Sequence, residues 1–168
     1  MPPLRIAIAG AGTAGLAAAA FLTRDGHDVR LFERFAEPRP LGAGLMLQPT
    51  GLACLARLGL DRAAIDHGAT VLGIDGKTVR GAHIFNVHYR ELAPRLFGIG
   101  IHRGALFGLL YDEVKRLAVP INASLEMGSS RCIAGGRLLI DAQGNEHGPF
   151  DLVVDGTGQR SPLRAGEV

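Results

Sequence analysis

Apolar and polar positions fall in blocks along this chain, and the blocks change period in a regular order. Residues 4–9, LRIAIA, are a short apolar run without helical spacing, which predicts a strand buried on both faces. A glycine-rich turn occupies 10–15. Ala14–Arg24 then carries small apolar residues and predicts a helix that Gly26 ends as its C-cap. Val29–Glu33 predicts a second strand. Strand, turn, helix and strand make a βαβ unit, because two parallel strands need such a crossover.

Phe35–Gly44 is rich in Pro and Gly and predicts a loop. Pro49 is placed to open a helix, where a missing N–H costs nothing. Its apolar face is Leu52, Leu55, Ala56 and Leu58, and Gly59 ends it. A second short helix is expected at Arg62–Asp66 with Asp61 as its N-cap. Thr70–Ile74 and Thr78–Val87 read as a hairpin around Asp75-Gly76, and Ile99–His102 as a short strand. Arg103–Leu117 is a helix, with Leu106, Leu109, Leu110 and Val114 at helical spacing. Ile121–Glu126, Arg131–Ala134 and Leu138–Asp141 read as three antiparallel strands. The turns between and after them carry Gly128, Gly135, Gly136 and Gly144. Phe150–Asp155 reads as a parallel, central strand. The fold class is therefore α/β: a Rossmann-like βαβ start with a parallel sheet and a small antiparallel β insert, in one domain over 1–168.

Composition narrows the function classes. With 168 residues, 47% of them hydrophobic, the chain is globular. Its 18 basic against 16 acidic residues leave a net charge of +2, and no basic cluster marks a nucleic-acid surface. The apolar run 5–22 is broken by Gly10, Gly12, Thr13 and Gly15 and closed by Thr23, Arg24 and Asp25. It is too short and too interrupted for a membrane span. Cys54 and Cys132 lie in apolar sequence without metal-ligand spacing, so both are expected to be buried thiols of a reducing compartment, and the location to be cytoplasmic. The six His show no zinc spacing, and no nucleophile elbow is present. The 24 glycines are the outlier, and point to tight turns and close backbone approaches.

The concentrated chemistry is GAGTAG at 10–15. In the G-x-G-x-x-G pattern Gly10 makes the tight turn, Gly12 lets backbone approach a pyrophosphate, and Gly15 lets the helix pack on the sheet. The helix N-terminus then faces the phosphates. Glu33 ends the second strand 18 residues after Gly15, close to where a carboxylate binds ribose hydroxyls. Arg34, Arg39 and Arg103 are candidates to neutralise a diphosphate, since arginine pairs bidentately with phosphate. Arg103 opens a helix directly after a strand.

With GAGTAG, LFER, GAGLMLQPTGLACLARLGL, GIHRGALFGLLYDEV and DLVVDGTGQRSPLR in that order, the chain resembles the FAD-dependent aromatic-ring monooxygenases, typified by para-hydroxybenzoate hydroxylase. The likeness covers all 168 residues, and roughly the first half of such a protein. It implies FAD as cofactor, NAD(P)H as transient reductant, O₂, and an aromatic or similar small organic substrate. It implies that Gly10, Gly12 and Gly15 hold the pyrophosphate, with Ala11 and Ala14 lending backbone groups and Thr13 in the same turn. Glu33 would bind the adenosine ribose and Arg34 lie along the adenosine. Ala43, Gly44 and Leu45 would line the flavin ring, Gln48 face it, and Arg103 reach FAD. The last strand and GTGQRS, with Gly158, resemble the family's second phosphate-side signature.

The sequence departs from the family at 156–158. Ala-Asp-Gly is usual there, and this chain has Gly156-Thr157-Gly158, with Asp155 two residues early. The family's later Gly-Asp motif for the ribityl chain is absent, so a missing C-terminal half is expected as a partner for the site. Rival readings are a non-catalytic FAD- or ADP-binding remnant, and another flavoenzyme of this architecture, such as an isoprenoid-chain reductase or a halogenase.

Overall fold

The computed structural model describes residues 2–40 and 42–166. Among them the strands are β1 Arg5–Ala9, β2 Asp28–Phe32, β3 Gly44–Leu47, β4 Gly68–Val71, β5 Gly73–Lys77, β6 His83–His88, β7 Gly98–His102, β8 Ile121–Asn122, β9 Met127–Ile133, β10 Gly136–Asp141, β11 Glu146–Phe150 and β12 Leu152–Asp155. The helices are α1 Thr13–Arg24, α2 Pro49–Arg57, α3 Asp61–Asp66 and α4 Arg103–Arg116. The chain divides into two compact units, one made of residues to Pro40 with those from Leu110, the other of the residues between. The boundary falls inside α4.

The first unit is built on a parallel sheet of order β12-β1-β2-β8. In β1, Ile6 and Ile8 alternate with Ala7 and Ala9, and all four are fully buried. Ala7 and Ala9 join Phe32, Met127, Leu139, Phe150 and Leu163 in one apolar cluster, so the antiparallel sheet β11-β10-β9 covers that face. This explains the continuous apolar reading of β1: neither face meets water. α1 ends as expected. Gly26 takes φ +86, and the N–H groups of Gly26 and His27 donate to the carbonyls of Thr23 and Leu22, a Schellman cap. The buried Glu113 carboxylate then joins two guanidiniums. It accepts from Arg24 at 2.5 Å on α1 and from Arg116 at 2.7 Å on its own helix. Arg116 first, then Arg24, hold its carboxyl below the usual range against the opposing effect of burial.

Several sequence expectations shift in this unit. Of Ile121–Glu126, expected as an antiparallel strand, only Ile121–Asn122 is a strand, and it extends the parallel sheet, with Leu31 opposite Ile121. The antiparallel insert is instead β9, β10 and β11. Phe150 belongs to β11, and β12 lies at the edge of the described sheet rather than at its centre. Cys132 is exposed, not buried: near the end of β9 both it and its neighbour Arg131, which point to opposite faces, meet solvent.

The second unit holds the antiparallel sheet β3-β7-β4 and the β5-β6 hairpin. α2 buries Leu52, Leu55 and Leu58 at spacing three, which leaves Cys54 and Ala56 on its outer side, against expectation. Asp61 is the first residue of α3 and does not cap it with a side-chain hydrogen bond; Leu60 holds the N-cap position. Gly44, expected as the last residue of a loop, opens the strand Gly44–Leu47, which pairs with β7 from Gly44 opposite His102 to Leu47 opposite Ile99. Thr70 belongs to β4, which pairs with β7. The hairpin turn lies at 78–82, where the Ala82 N–H donates to the Thr78 hydroxyl oxygen at 3.0 Å. Asp75 and Gly76 sit inside β5, with Gly76 opposite Phe85. A side chain at Gly76 would strike the Phe85 ring, so this glycine serves ring packing, which local sequence does not distinguish from a turn.

Acid stability follows from the carboxylates of the first unit. Arg5 donates from Nη2 to Asp151 at 2.7 Å and from its backbone N–H at 2.8 Å, holding the Asp151 carboxyl down to about 2 from an ordinary 3.8. Hydrogen bonds from His147, Asn145 and the Gln143 and Asn145 N–H groups hold Asp141 well below the usual carboxylate range, outweighing its burial. A carboxylate depressed in the folded state stabilises above its unfolded pKa and loses that contribution as pH falls through its folded value. Urea midpoints are therefore expected to fall between about pH 4 and pH 2, and Asp151→Asn to lower the midpoint at pH 7 while flattening that fall. An Asp151→Asn chain with the wild-type acid profile would contradict this assignment.

Candidate functional site

The site of the first unit begins where β1 turns into α1. Gly10 has φ +93, and a Cβ there would lie 2.7 Å from the Gly156 carbonyl oxygen. A Cβ at Gly15 would strike the Gly10 carbonyl oxygen, and one at Gly156 would sit 3.1 Å from the Ala9 oxygen and 3.2 Å from the Gly15 Cα. Gly10, Gly15 and Gly156 thus let the ends of β1 and β12 and the start of α1 meet backbone to backbone. Gly12 differs. Its backbone is extended (φ −76, ψ −179), and a Cβ there would meet no atom within 4 Å.

Gly12 is also the N-cap of α1, and it supplies no side-chain hydrogen bond. The first intrahelical bond of the turn is Leu16 N–H to the Gly12 carbonyl, at 2.9 Å. No acidic residue lies in the first turn. The leading N–H groups of Thr13, Ala14 and Gly15 therefore present an uncapped, positively polarised helix end to the open space beside Gly12. That combination suits a phosphate.

Glu33 stands next to this turn. It is 7% exposed, and its carboxylate accepts the Ala11 N–H at 2.8 Å on Oε2 and the Phe35 N–H at 3.0 Å on Oε1. Its backbone is clamped on both sides: its N–H donates to the Asn122 carbonyl, and its carbonyl accepts from Leu125. Each carboxylate oxygen keeps a second lone pair, so both can still accept a hydroxyl. Arg34 is exposed, 3.9 Å from Glu126, and its guanidinium lies 4.7 Å from the Phe35 ring centroid. Arg39 lies 4.6 Å from the same ring. Two of the three arginines that the sequence offers as phosphate partners thus share one aromatic side chain.

The loop after β12 is ordered by Asp155, which accepts the Thr157 N–H at 3.0 Å and its hydroxyl at 2.6 Å. Burial pushes this carboxyl up, but bonds from Ser161 and Thr157 and the charge of Arg164 leave it below the usual range. Gly158, the glycine singled out from sequence, has φ +96 and faces open space, and its carbonyl accepts from Ser161. Gly156 makes the close approach to Gly10. Sequence reasoning missed it; the signal was a glycine directly after a parallel strand.

In the second unit Ala43 and Gly44 are exposed and Leu45 is half-buried at the start of β3. Gln48 caps α2 by position, and the buried Tyr89 hydroxyl donates to its Oε1 at 3.0 Å. Tyr89 had no signal in the sequence. Arg103 is the first residue of α4; its N–H donates to the Ala43 carbonyl at 2.9 Å.

A family model described as FAD binding domain matches residues 4–128. The chain belongs to that family. Its cofactor is accordingly FAD. It is 42% identical over 170 residues to the FAD-dependent monooxygenase asL4 of Sarocladium schorii, covering 98% of this chain and 39% of that protein. It is 30% identical over 165 residues to 3-amino-4-hydroxybenzoate 2-monooxygenase of Streptomyces cremeus, covering 96% of this chain and 41% of that protein. Among solved structures it is similar to 2-methyl-3-hydroxypyridine-5-carboxylic acid oxygenase, with a TM-score of 0.78 and 28% identity, over 98% of this chain and 42% of that one. The chain thus spans about two fifths of the length of these relatives. No helix among the described residues is long and apolar enough to cross a membrane.

Proposed function

We propose that the chain is the FAD-binding portion of an NAD(P)H-dependent flavoprotein monooxygenase that hydroxylates an aromatic or similar small organic compound. The observation that carries the proposal is the uncapped N-terminus of α1 beside the side-chain-free Gly12, with the Glu33 carboxylate bonded to the same turn. The residues fit a dinucleotide: backbone N–H groups for the diphosphate, and a buried carboxylate for paired ribose hydroxyls. The monooxygenase reading is supported by the relatives' names and by the five ordered motifs. When bound, FAD would supply the redox chemistry, accepting a hydride from NAD(P)H and passing electrons to O₂.

The chain's own residues bind and orient. Gly12–Gly15 would direct N–H groups and the α1 dipole at the diphosphate. Glu33 would fix the adenosine by its ribose, and Arg34 would lie along it. Ala43, Gly44 and Leu45 would line the flavin ring, with Gln48 facing it. Arg103 would place a permanent positive charge at the cofactor, and Gly158 a side-chain-free, left-handed turn on the phosphate side. The residues that close over the ring and shield it from water are proposed to lie in the three fifths of the relatives that this chain does not match.

Glu33→Gln tests the ribose role. The amide keeps one acceptor oxygen for the Ala11–Phe35 bracket but loses the charge and one oxygen. FAD and ADP should bind more weakly by about 1–3 kcal/mol, the usual cost of a charge-assisted hydrogen bond. Titration calorimetry giving unchanged affinity for both would remove Glu33 from the site.

A further inference from the structure

We propose that Gly42 is a positioning residue: it forms the seat on which the Arg103 guanidinium rests, and so aims that charge at the cofactor. The inference rests on the reading that Arg103 contributes to FAD binding. Gly42 has φ +97, and an added Cβ would lie 3.0 Å from Arg103 Nη1, 3.2 Å from Cζ and 3.5 Å from Nε. Three atoms of one planar group therefore crowd the place where any other residue would carry its Cβ, and the guanidinium would have to shift by a few tenths of an ångström to admit one. Two constraints fix the base of the arginine as well. Its N–H donates to the Ala43 carbonyl at 2.9 Å, and the β3–β7 ladder sets Gly44 opposite His102, one residue before it. The backbone of Arg103 is thus held by Ala43, and its head group lies beside Gly42.

An arginine free to rotate would lose side-chain entropy when it bound a ligand; one already seated does not. Glycine is required at 42 for two separable reasons. Its left-handed backbone disfavours other L-residues, and its missing Cβ makes room for the guanidinium. Only the second acts through Arg103.

A double-mutant cycle on FAD affinity, read by titration calorimetry with the thermal midpoint as a folding control, separates them. Arg103→Ala should weaken FAD about tenfold or more, as expected for a lost charge-assisted contact. Gly42→Ala should weaken it by a comparable factor with Arg103 present, and by less than about twofold in the Arg103→Ala background. Gly42→Asn should behave alike, since asparagine tolerates the left-handed region while still filling the seat. That variant keeps the test open if Gly42→Ala misfolds. Additive losses in the double variant would overturn the inference, because Gly42 would then act through its own loop. Wild-type affinity in a folded Gly42→Asn chain would also overturn it. Wild-type affinity in Arg103→Ala would instead overturn the role of Arg103, and the inference with it.

Discussion

Gly12→Val should leave the chain folded and abolish FAD binding. The two halves of this result come from one geometry. The Gly12 backbone is extended (φ −76, ψ −179), a region open to any residue, and a Cβ there touches nothing within 4 Å. Folding therefore has no use for the glycine. The open space is in front of the first N–H groups of α1, and a branched side chain would stand between them and a diphosphate. Losing two or more charge-assisted hydrogen bonds, each about 1.5–3 kcal/mol, predicts a drop on the order of a hundredfold or more for FAD and ADP alike. The thermal midpoint without cofactor should stay near wild type. A Gly12→Val chain that binds FAD normally would show that the diphosphate does not lie here.

Gly15→Ala should fail in the opposite way. Its added methyl would meet the Gly10 carbonyl oxygen well inside contact distance, and backbone stands on both sides of the clash. Gly10 cannot retreat, because it faces the Gly156 carbonyl, and Gly156 is fixed by its N–H, which donates to the Ala9 carbonyl at 2.8 Å. Overpacking of a site that cannot relax costs about 3 kcal/mol or more, at the upper end for core insertions. That corresponds to a thermal midpoint lower by roughly 6–12 °C for a chain of this size. Differential scanning calorimetry without cofactor measures it. A Gly15→Ala chain as stable as wild type would show that α1 does not need this approach to the sheet.

The contrast between these two glycines shows what the sequence could and could not reveal. The motif reads both as the link between strand and helix, and the structure has Gly12 as the N-cap and Gly15 in the first turn of α1, because β1, the turn and α1 are contiguous and each is specified by its own residues. It did not show Gly156, whose role exists only because β12 is brought beside β1 across some 140 residues of chain. Tyr89 is invisible for the same reason: its partner Gln48 is 41 residues away. Ile121–Glu126 reads as an antiparallel strand, yet only Ile121–Asn122 is a strand and it runs parallel; two residues have no period to reveal a direction, which the neighbour Leu31 decides. Glycine was the weakest guide where it mattered to packing. Gly76 looked like a turn beside Asp75, yet it lies within a strand under the Phe85 ring.

Glu33 illustrates a second limit. Its position at the end of β2 was legible from spacing. Its two backbone donors were not, and they change how the residue should be probed. Glu33→Ala would strip the Ala11 and Phe35 N–H groups of their acceptor and disturb the turn as well as the ligand, so the conservative amide is the cleaner variant.

The central claim is that FAD is held by its diphosphate at the Gly12 face of the α1 N-terminus. Backbone amide chemical shifts of the ¹⁵N-labelled chain, followed while ADP and then FAD are titrated, test it most directly. The account predicts that both ligands move the amides of Gly12, Thr13, Ala14 and Gly15 together with those of Ala11 and Phe35, and that FMN, which lacks the adenosine, leaves the Phe35 amide in place. Saturable binding of FAD that shifts none of the amides from Gly12 to Gly15 would contradict it.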